Sequence, residues 1–202
     1  MTFEEIRKIL STKTVGIAGC GGLGSNCAVA LARSGVGKLI VADFDIIQES
    51  NLNRQYYYND QIGQQKCHTL SDNIYFVNDQ VKVVAHQIKL GPDDIVRIYK
   101  DCDVLIEAFD LAEMKQMIIE TVLSEMPDMP LICGMGMAGF GNNNSIRMEE
   151  YDNLYICGDF ETEIAVDVPP MAPRVGIVAN MQANQAVELI IKKHLKDGIN
   201  NK

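Results

Sequence analysis

Three glycines spaced as Gly19-x-Gly21-x-x-Gly24 follow the apolar run of residues 14–18 and open an amphipathic stretch. In that context a strand turns sharply into a helix whose first backbone amides face an anion. Glycine at 19 permits the tight turn, glycine at 21 lets backbone amides approach phosphates, and glycine at 24 lets the helix pack closely on its strand. Asp43 ends the next apolar run, where an acidic side chain commonly takes ribose hydroxyls. By themselves these residues predict a dinucleotide site.

The segments that follow carry a different chemistry. Asp43-Phe44-Asp45 leads into Ser50-Asn51-Leu52-Asn53-Arg54-Gln55, and Gly63-Gln64-Gln65-Lys66 comes after. Two cations, Arg54 and Lys66, therefore stand just beyond the nucleoside pocket, a cluster that a nicotinamide enzyme does not need. In isolation Arg54 reads as a surface cation; inside this polar run it reads as a phosphate contact. Lys66 at a helix start is either turned to the site or solvated. Asp45 is a loop cap or a second polar contact. Asp110 closes another apolar run, where ligands of open α/β sheets bind, though an aspartate there is also a common helix N-cap.

In this order, and with Ser34-Gly35-Val36-Gly37 and Phe109-Asp110, the motifs resemble the signature of the ThiF and MoeB family, bacterial relatives of ubiquitin-activating enzymes. The resemblance spans roughly residues 14–195 and brings an expectation of function. It implies ATP and Mg²⁺ as cofactors, with Gly19, Gly21, Gly22, Leu23 and Gly24 along the phosphates. Asp43 would hold the ribose with Asp45 beside it, Asn51 and Arg54 would contact phosphates, Lys66 would stabilise developing charge, and Asp110 would bind Mg²⁺. The implied reaction adenylylates the C-terminal glycine of a small sulfur-carrier protein ending in Gly-Gly, with the ThiS-like carrier of thiamine biosynthesis as first choice. A homodimer is implied as well. The chemistry fits independently: a carboxylate attacking the α-phosphorus gathers negative charge that fixed cations and a metal stabilise, and no protein nucleophile is required.

The chain departs from the family pattern in three places. It has no Cys-x-x-Cys, so no zinc site is expected. The stretch before the last helix, Pro169-Pro170-Met171-Ala172-Pro173, lacks the cysteine that some members use covalently, so Cys133 and Cys157 read as core thiols and the mechanism as adenylylation only. The arginine that the family supplies from a partner subunit has no counterpart beyond Arg7, which reads as a solvated helix residue. The run of residues 134–141, rich in glycine, could receive an extended Gly-Gly tail or form a flexible turn. Rival readings are a relative that activates a carboxylate on a modified tRNA base, an NAD-dependent oxidoreductase, and a nucleotide-binding scaffold without turnover.

The elements that must position these residues alternate along the chain. Strands are expected at residues 14–18, 38–42, 82–86, 103–108 and 130–133, and helices at 23–34, 64–76, after Gly91, at 111–126 and from 175 to 190. Thr2-Phe3-Glu4-Glu5 has the capping-box form. The pattern predicts a doubly wound, mainly parallel α/β sheet, with residues 145–148 and 154–157 as short strands outside the parallel core and residues 158–173 as a mobile loop. A length of 202 residues, 47% of them apolar, fits one domain over residues 1–202. The net charge of −9 argues against a general nucleic-acid binder. No apolar run approaches the roughly 18 residues of a membrane span, and the acidic, amphipathic residues 1–13 are not expected to act as a signal peptide. A cytoplasmic protein with six reduced cysteines is expected.

Overall fold

The computed structural model describes residues 1–200; residues 201 and 202 of the expected unit lie outside the described residues. A short helix, α1 (Phe3–Leu10), opens the chain, and its capping box forms as the sequence indicates: Glu5 N donates to Thr2 Oγ1 and Thr2 N to Glu5 Oε2. The alternating units β1 (Thr14–Ala18), α2 (Gly22–Ser34), β2 (Lys38–Ala42), α3 (Lys66–Val77), β3 (Lys82–His86), α4 (Pro92–Tyr99), β4 (Val104–Glu107), α5 (Ala112–Glu125) and β5 (Leu131–Gly134) follow. The chain then runs through β6 (Arg147–Tyr151) and β7 (Leu154–Gly158) into α6 (Ala172–Asn200).

All seven strands form one sheet in the order β3-β2-β1-β4-β5-β7-β6. Every neighbouring pair is parallel except β6 on β7. The expectation for residues 154–157 is thus corrected: β7 continues the parallel sheet beside β5, and only β6 runs against it. Short hydrophobic alternation in Leu154–Gly158 carries no sign of direction, which is set by the connection from β5 and not by the strand's own residues.

Period-two alternation divides the core into two layers. Val15 and Ile17 of β1, with Val104 and Ile106 of β4, face α2, α3 and α6, while Ala18 and Leu105 face α4 and α5. At Gly16 a methyl group would come within 2.6 Å of the Tyr99 ring, so glycine there lets α4 seat Tyr99, whose hydroxyl donates to Ile17 O at 3.0 Å. The small residues Ala179, Ala183 and Ala186 are buried on α6, which packs chiefly on α2. No helix among the described residues is long and apolar enough to cross a membrane.

Strand order reverses at β1. The chain goes from β1 outward to β2 and β3, then returns to place β4 on β1's other side. The crevice beyond the carboxyl ends of β1 and β4 is therefore the topological switch point, where ligands of open α/β sheets bind.

Candidate functional site

The turn out of β1 is built as its glycines require. Gly19 adopts φ +102°, and a methyl group there would meet Ala108 O at 2.7 Å, so the end of β1 lies directly against the end of β4. A methyl group at Gly24 would collide with Gly19 O, so the third glycine lets α2 begin on top of the turn. Gly21 is the N-cap of α2 and makes no side-chain cap, leaving the amides of Gly22, Leu23 and Gly24 without acceptors inside the helix. Helix geometry points those amides, with the positive end of the helix dipole, at the crevice.

Asp43 lies just past β2 and locks this turn. Its Oδ2 accepts Cys20 N at 2.7 Å and its Oδ1 accepts Asp45 N at 2.8 Å, which leaves lone pairs on both oxygens for two further donors. Burial pushes its carboxyl above the usual aspartate range, against the two backbone hydrogen bonds and the nearby Lys66 charge.

The loop between β2 and α3 is sewn onto α2. Asn26 Nδ2 donates to Gly22 O at 2.7 Å and to Arg54 O at 2.9 Å, and Tyr56 N donates to Ser25 Oγ at 3.0 Å. These bonds lay the Arg54 stem beside Gly22, whose added methyl group would be 3.6 Å from Arg54 Cγ. The guanidinium is partly exposed and held from behind, Nη1 donating to Ser50 O at 3.1 Å and Asn53 Oδ1 at 2.8 Å. Asn51 Oδ1 accepts Gln48 N at 3.0 Å, so its side chain closes a 3₁₀ turn over Glu49–Asn51.

Lys66 is not solvated. It is the first residue of α3, its side chain is 8% exposed, and its Nζ donates to Asp45 Oδ2 at 2.8 Å. Asp45, its side chain 47% exposed, is the partner that holds Lys66 Nζ. The buried Tyr57 hydroxyl lies within hydrogen-bond reach of both Cys20 O, at 2.8 Å, and Lys66 O, at 3.2 Å, and so fastens the start of α3 under the glycine loop.

Asp110 sits in the four-residue span between β4 and α5. The helix N-cap is Leu111, not Asp110, and among the described residues the exposed Asp110 carboxylate makes no hydrogen bond. Arg54, Lys66 and Asp110 share no direct bond either. The segment that carries each is fastened to the glycine loop: the Arg54 stem lies beside Gly22, the Lys66 main-chain carbonyl shares the Tyr57 hydroxyl with Cys20 O, and Asp110 follows two residues after Ala108, which abuts Gly19. No group of three or more His, Cys, Asp or Glu able to hold a metal is found among the described residues. Mg²⁺ is commonly bound by one or two carboxylates plus phosphate oxygens and water, a donor set that the free Asp110 carboxylate fits.

Two ion pairs with buried carboxylates lie at the ends of β4 and β7, and sequence reasoning missed both. Glu107, fully buried at the end of β4, pairs with Lys115 at 2.9 Å. Asp159 pairs with Arg174 in the first turn of α6. Asp159 also accepts Glu161 N at 2.9 Å, Thr162 N at 2.8 Å and Thr162 Oγ1 at 2.8 Å, while Arg174 Nη1 donates to Gly141 O. Residues 158–173 are thereby tied to residues 134–141, and Gly139 forms a bridge with Pro170. The only signal for Glu107 was a charge at the end of an apolar run. For Asp159 and Arg174 there was none, since their partners are distant in sequence.

The thiols are core residues. Cys133 and Cys157 are buried, and burial pushes the Cys157 thiol up to about 12 and that of Cys133 well above its ordinary value. Arg7 lays its stem over Gly35, where a methyl group would be 2.7 Å from Arg7 Cγ.

These features define a Rossmann-like open α/β protein with an anion-facing glycine loop at its switch point. The whole length points the same way: residues 2–201 match the ThiF family, and the chain belongs to it. It is 28% identical over 200 residues to "Adenylyltransferase and sulfurtransferase MOCS3" of Caenorhabditis briggsae, covering 92% of this chain and 48% of that protein. It is 26% identical over 192 residues to "Molybdopterin-synthase adenylyltransferase" of Salmonella typhimurium, covering 92% of this chain and 76% of that protein. The chain thus spans about half the length of the first of these curated relatives. Among solved structures, the E. coli tRNA N6-threonylcarbamoyladenosine dehydratase TcdA in complex with ATP superposes with a TM-score of 0.86 at 18% identity, over 96% of this chain and 91% of that one. At that identity the likeness concerns the fold.

Proposed function

We propose that this chain binds ATP and adenylylates the C-terminal glycine carboxylate of a small ubiquitin-like sulfur carrier. The observation that supports this reading is that the segments carrying Arg54, Lys66 and Asp110 are each fastened to the same glycine loop. The adenylyltransferase names of the MOCS3 and Salmonella relatives support it.

In this mechanism Asp43 accepts the ribose hydroxyls, and the first-turn amides of α2 hold the phosphates. Arg54 and Lys66 stabilise the charge that grows as a carboxylate oxygen bonds to the α-phosphorus and the bond to pyrophosphate breaks. Asp110 would hold Mg²⁺, which neutralises phosphate oxygens when bound. The product is an acyl-adenylate, and no cysteine takes part. A ThiS-like carrier and a homodimeric enzyme belong to this reading.

Incubation with ATP and a panel of purified Gly-Gly proteins, followed by intact-mass detection of an AMP adduct, tests it. The expected result is an adduct on one carrier together with carrier-dependent pyrophosphate exchange. No adduct and no exchange across the panel would overturn it. A second reading, activation of a carboxylate on a modified tRNA base, draws on the likeness to TcdA over nearly the whole of both chains. The net charge of −9 weighs against it, and adenylylation that requires tRNA and ignores the carriers would favour it.

A further inference from the structure

The span from β4 to α5 is fixed on both sides of Asp110. Before it, Ala108 N donates to Ala18 O at 2.9 Å and Phe109 N donates to Glu107 Oε1 at 2.6 Å. After it, Leu111 O accepts Met114 N and Lys115 N, both at 3.1 Å. Lys115 then reaches back: its Nζ bonds to Glu107 Oε1 and Oε2, both at 2.9 Å, and to Gly134 O at 3.0 Å. An ammonium has three donors, and all three are used. The Glu107 backbone is held from the other layer, where Gln182 Nε2 of α6 donates to Glu107 O at 3.0 Å and Ile132 O at 3.3 Å.

An ion pair whose carboxylate is fully buried and whose lysine is 23% exposed is a poor way to add stability, because desolvation offsets much of the attraction and apolar replacements are often neutral. Its geometry does something an apolar pair could not. One carboxylate and one ammonium join the end of β4, the turn at Phe109, the first turn of α5 and the end of β5.

We propose that the Glu107–Lys115 pair is a positioning device that fixes the Phe109–Asp110 turn against Gly134, and so sets where the Asp110 carboxylate meets a nucleotide-bound divalent cation. The inference rests on reading Asp110 as the metal ligand. Neither Glu107 nor Lys115 touches the nucleotide; both act through Asp110.

The test is Mn²⁺ titration, followed by electron paramagnetic resonance, of the protein bound to an ATP analogue with a methylene between its α- and β-phosphorus. Glu107→Gln and Lys115→Met should each weaken Mn²⁺ binding by roughly 10-fold or more, as loss of groups that orient a metal ligand does. Lys115→Arg should bind Mn²⁺ more tightly than Lys115→Met. Affinity for the analogue without metal should be unchanged in all three. Wild-type Mn²⁺ affinity in Glu107→Gln and Lys115→Met would overturn the proposal, as would a parallel loss of metal-free nucleotide affinity, which signals general loosening. If Glu107→Gln does not fold, the contrast between the two Lys115 variants decides. Asp110→Asn separates the two levels: unchanged Mn²⁺ binding there removes the metal-ligand reading itself, whereas weakened binding there with wild-type binding in the pair variants overturns only the positioning role.

Discussion

Lys66 Nζ and Asp45 Oδ2 lie 2.8 Å apart, with the lysine side chain 8% exposed and the aspartate 47%. The stem of Lys66 is packed in the protein, so its ammonium can reach only a small part of the crevice. If that part holds the reacting phosphates, Lys66→Met should lower carrier-dependent pyrophosphate exchange by about 10²–10³-fold, the usual cost of removing one preorganised donor to a developing charge. Steady-state exchange assays with calorimetric ATP binding would check this.

Arg54 is held from behind by Ser50 O and Asn53 Oδ1. Arg54→Ala should reduce adenylylation by about 10²-fold or more while weakening ATP binding less. An equal loss in turnover and in affinity would assign Arg54 to ground-state binding alone.

Asp43 titrates above the ordinary aspartate range because of its burial. If Asp43 takes the ribose as proposed, only its carboxylate form can accept from both hydroxyls while also holding Cys20 N and Asp45 N. Nucleoside affinity should therefore be full above the raised value and fall as pH drops through it. Adenosine binding measured against pH in wild type and Asp43→Asn checks this, since subtracting the variant removes the titration of the base; the variant should bind weakly at every pH.

Two glycine substitutions should act in opposite directions. At Gly24 a methyl group collides with Gly19 O, so Gly24→Ala should destabilise the fold by about 1–3 kcal/mol or more. At Gly176, inside α6, nothing lies within 4 Å of an added methyl group, so Gly176→Ala should stabilise by roughly 0.5–1 kcal/mol. Urea denaturation midpoints of the two variants would show both signs.

Arg174 and Asp159 are 4% and 2% exposed at their side chains. Removing the cation strands a buried carboxylate, so Arg174→Met should cost about 3–5 kcal/mol by the same denaturation measurement. Hydrogen bonds from Thr162, Glu161 and Arg174 outweigh burial and hold the Asp159 carboxyl below its ordinary range. A depressed carboxylate contributes stability that is present above its unfolded pKa and lost as pH falls through the folded value. The difference between wild type and Arg174→Met should therefore shrink on acidification below about pH 4.

What could be read from the residues was what acts locally. The glycine spacing from 19 to 24 was legible because the turn is local, Gly24 packing on Gly19 O, although Gly19 also abuts Ala108 at the end of β4. Strands β1 to β5 announced themselves by apolar runs. The direction of β7 did not, because pairing with β5 is decided by the path between them. The last helix was expected from Val175 but begins at Ala172, since proline in a first helical turn is favourable although the same residue reads as a breaker. Lys66 could not be told from a solvated lysine, because its burial depends on Asp45 across the loop. Glu107–Lys115 and Asp159–Arg174 stayed hidden for the same reason.

The reversed strand β6 has a consequence for the company this protein keeps. It forms one outer margin of the sheet and carries Arg147, Glu149 and Glu150. Arg147, still exposed, lies over the Phe160 ring, its guanidinium 4.4 Å from the ring centre. Charged side chains on a short border strand discourage a stray β-segment from zipping on and seeding an amyloid-like stack. That margin is guarded against unwanted growth of the sheet.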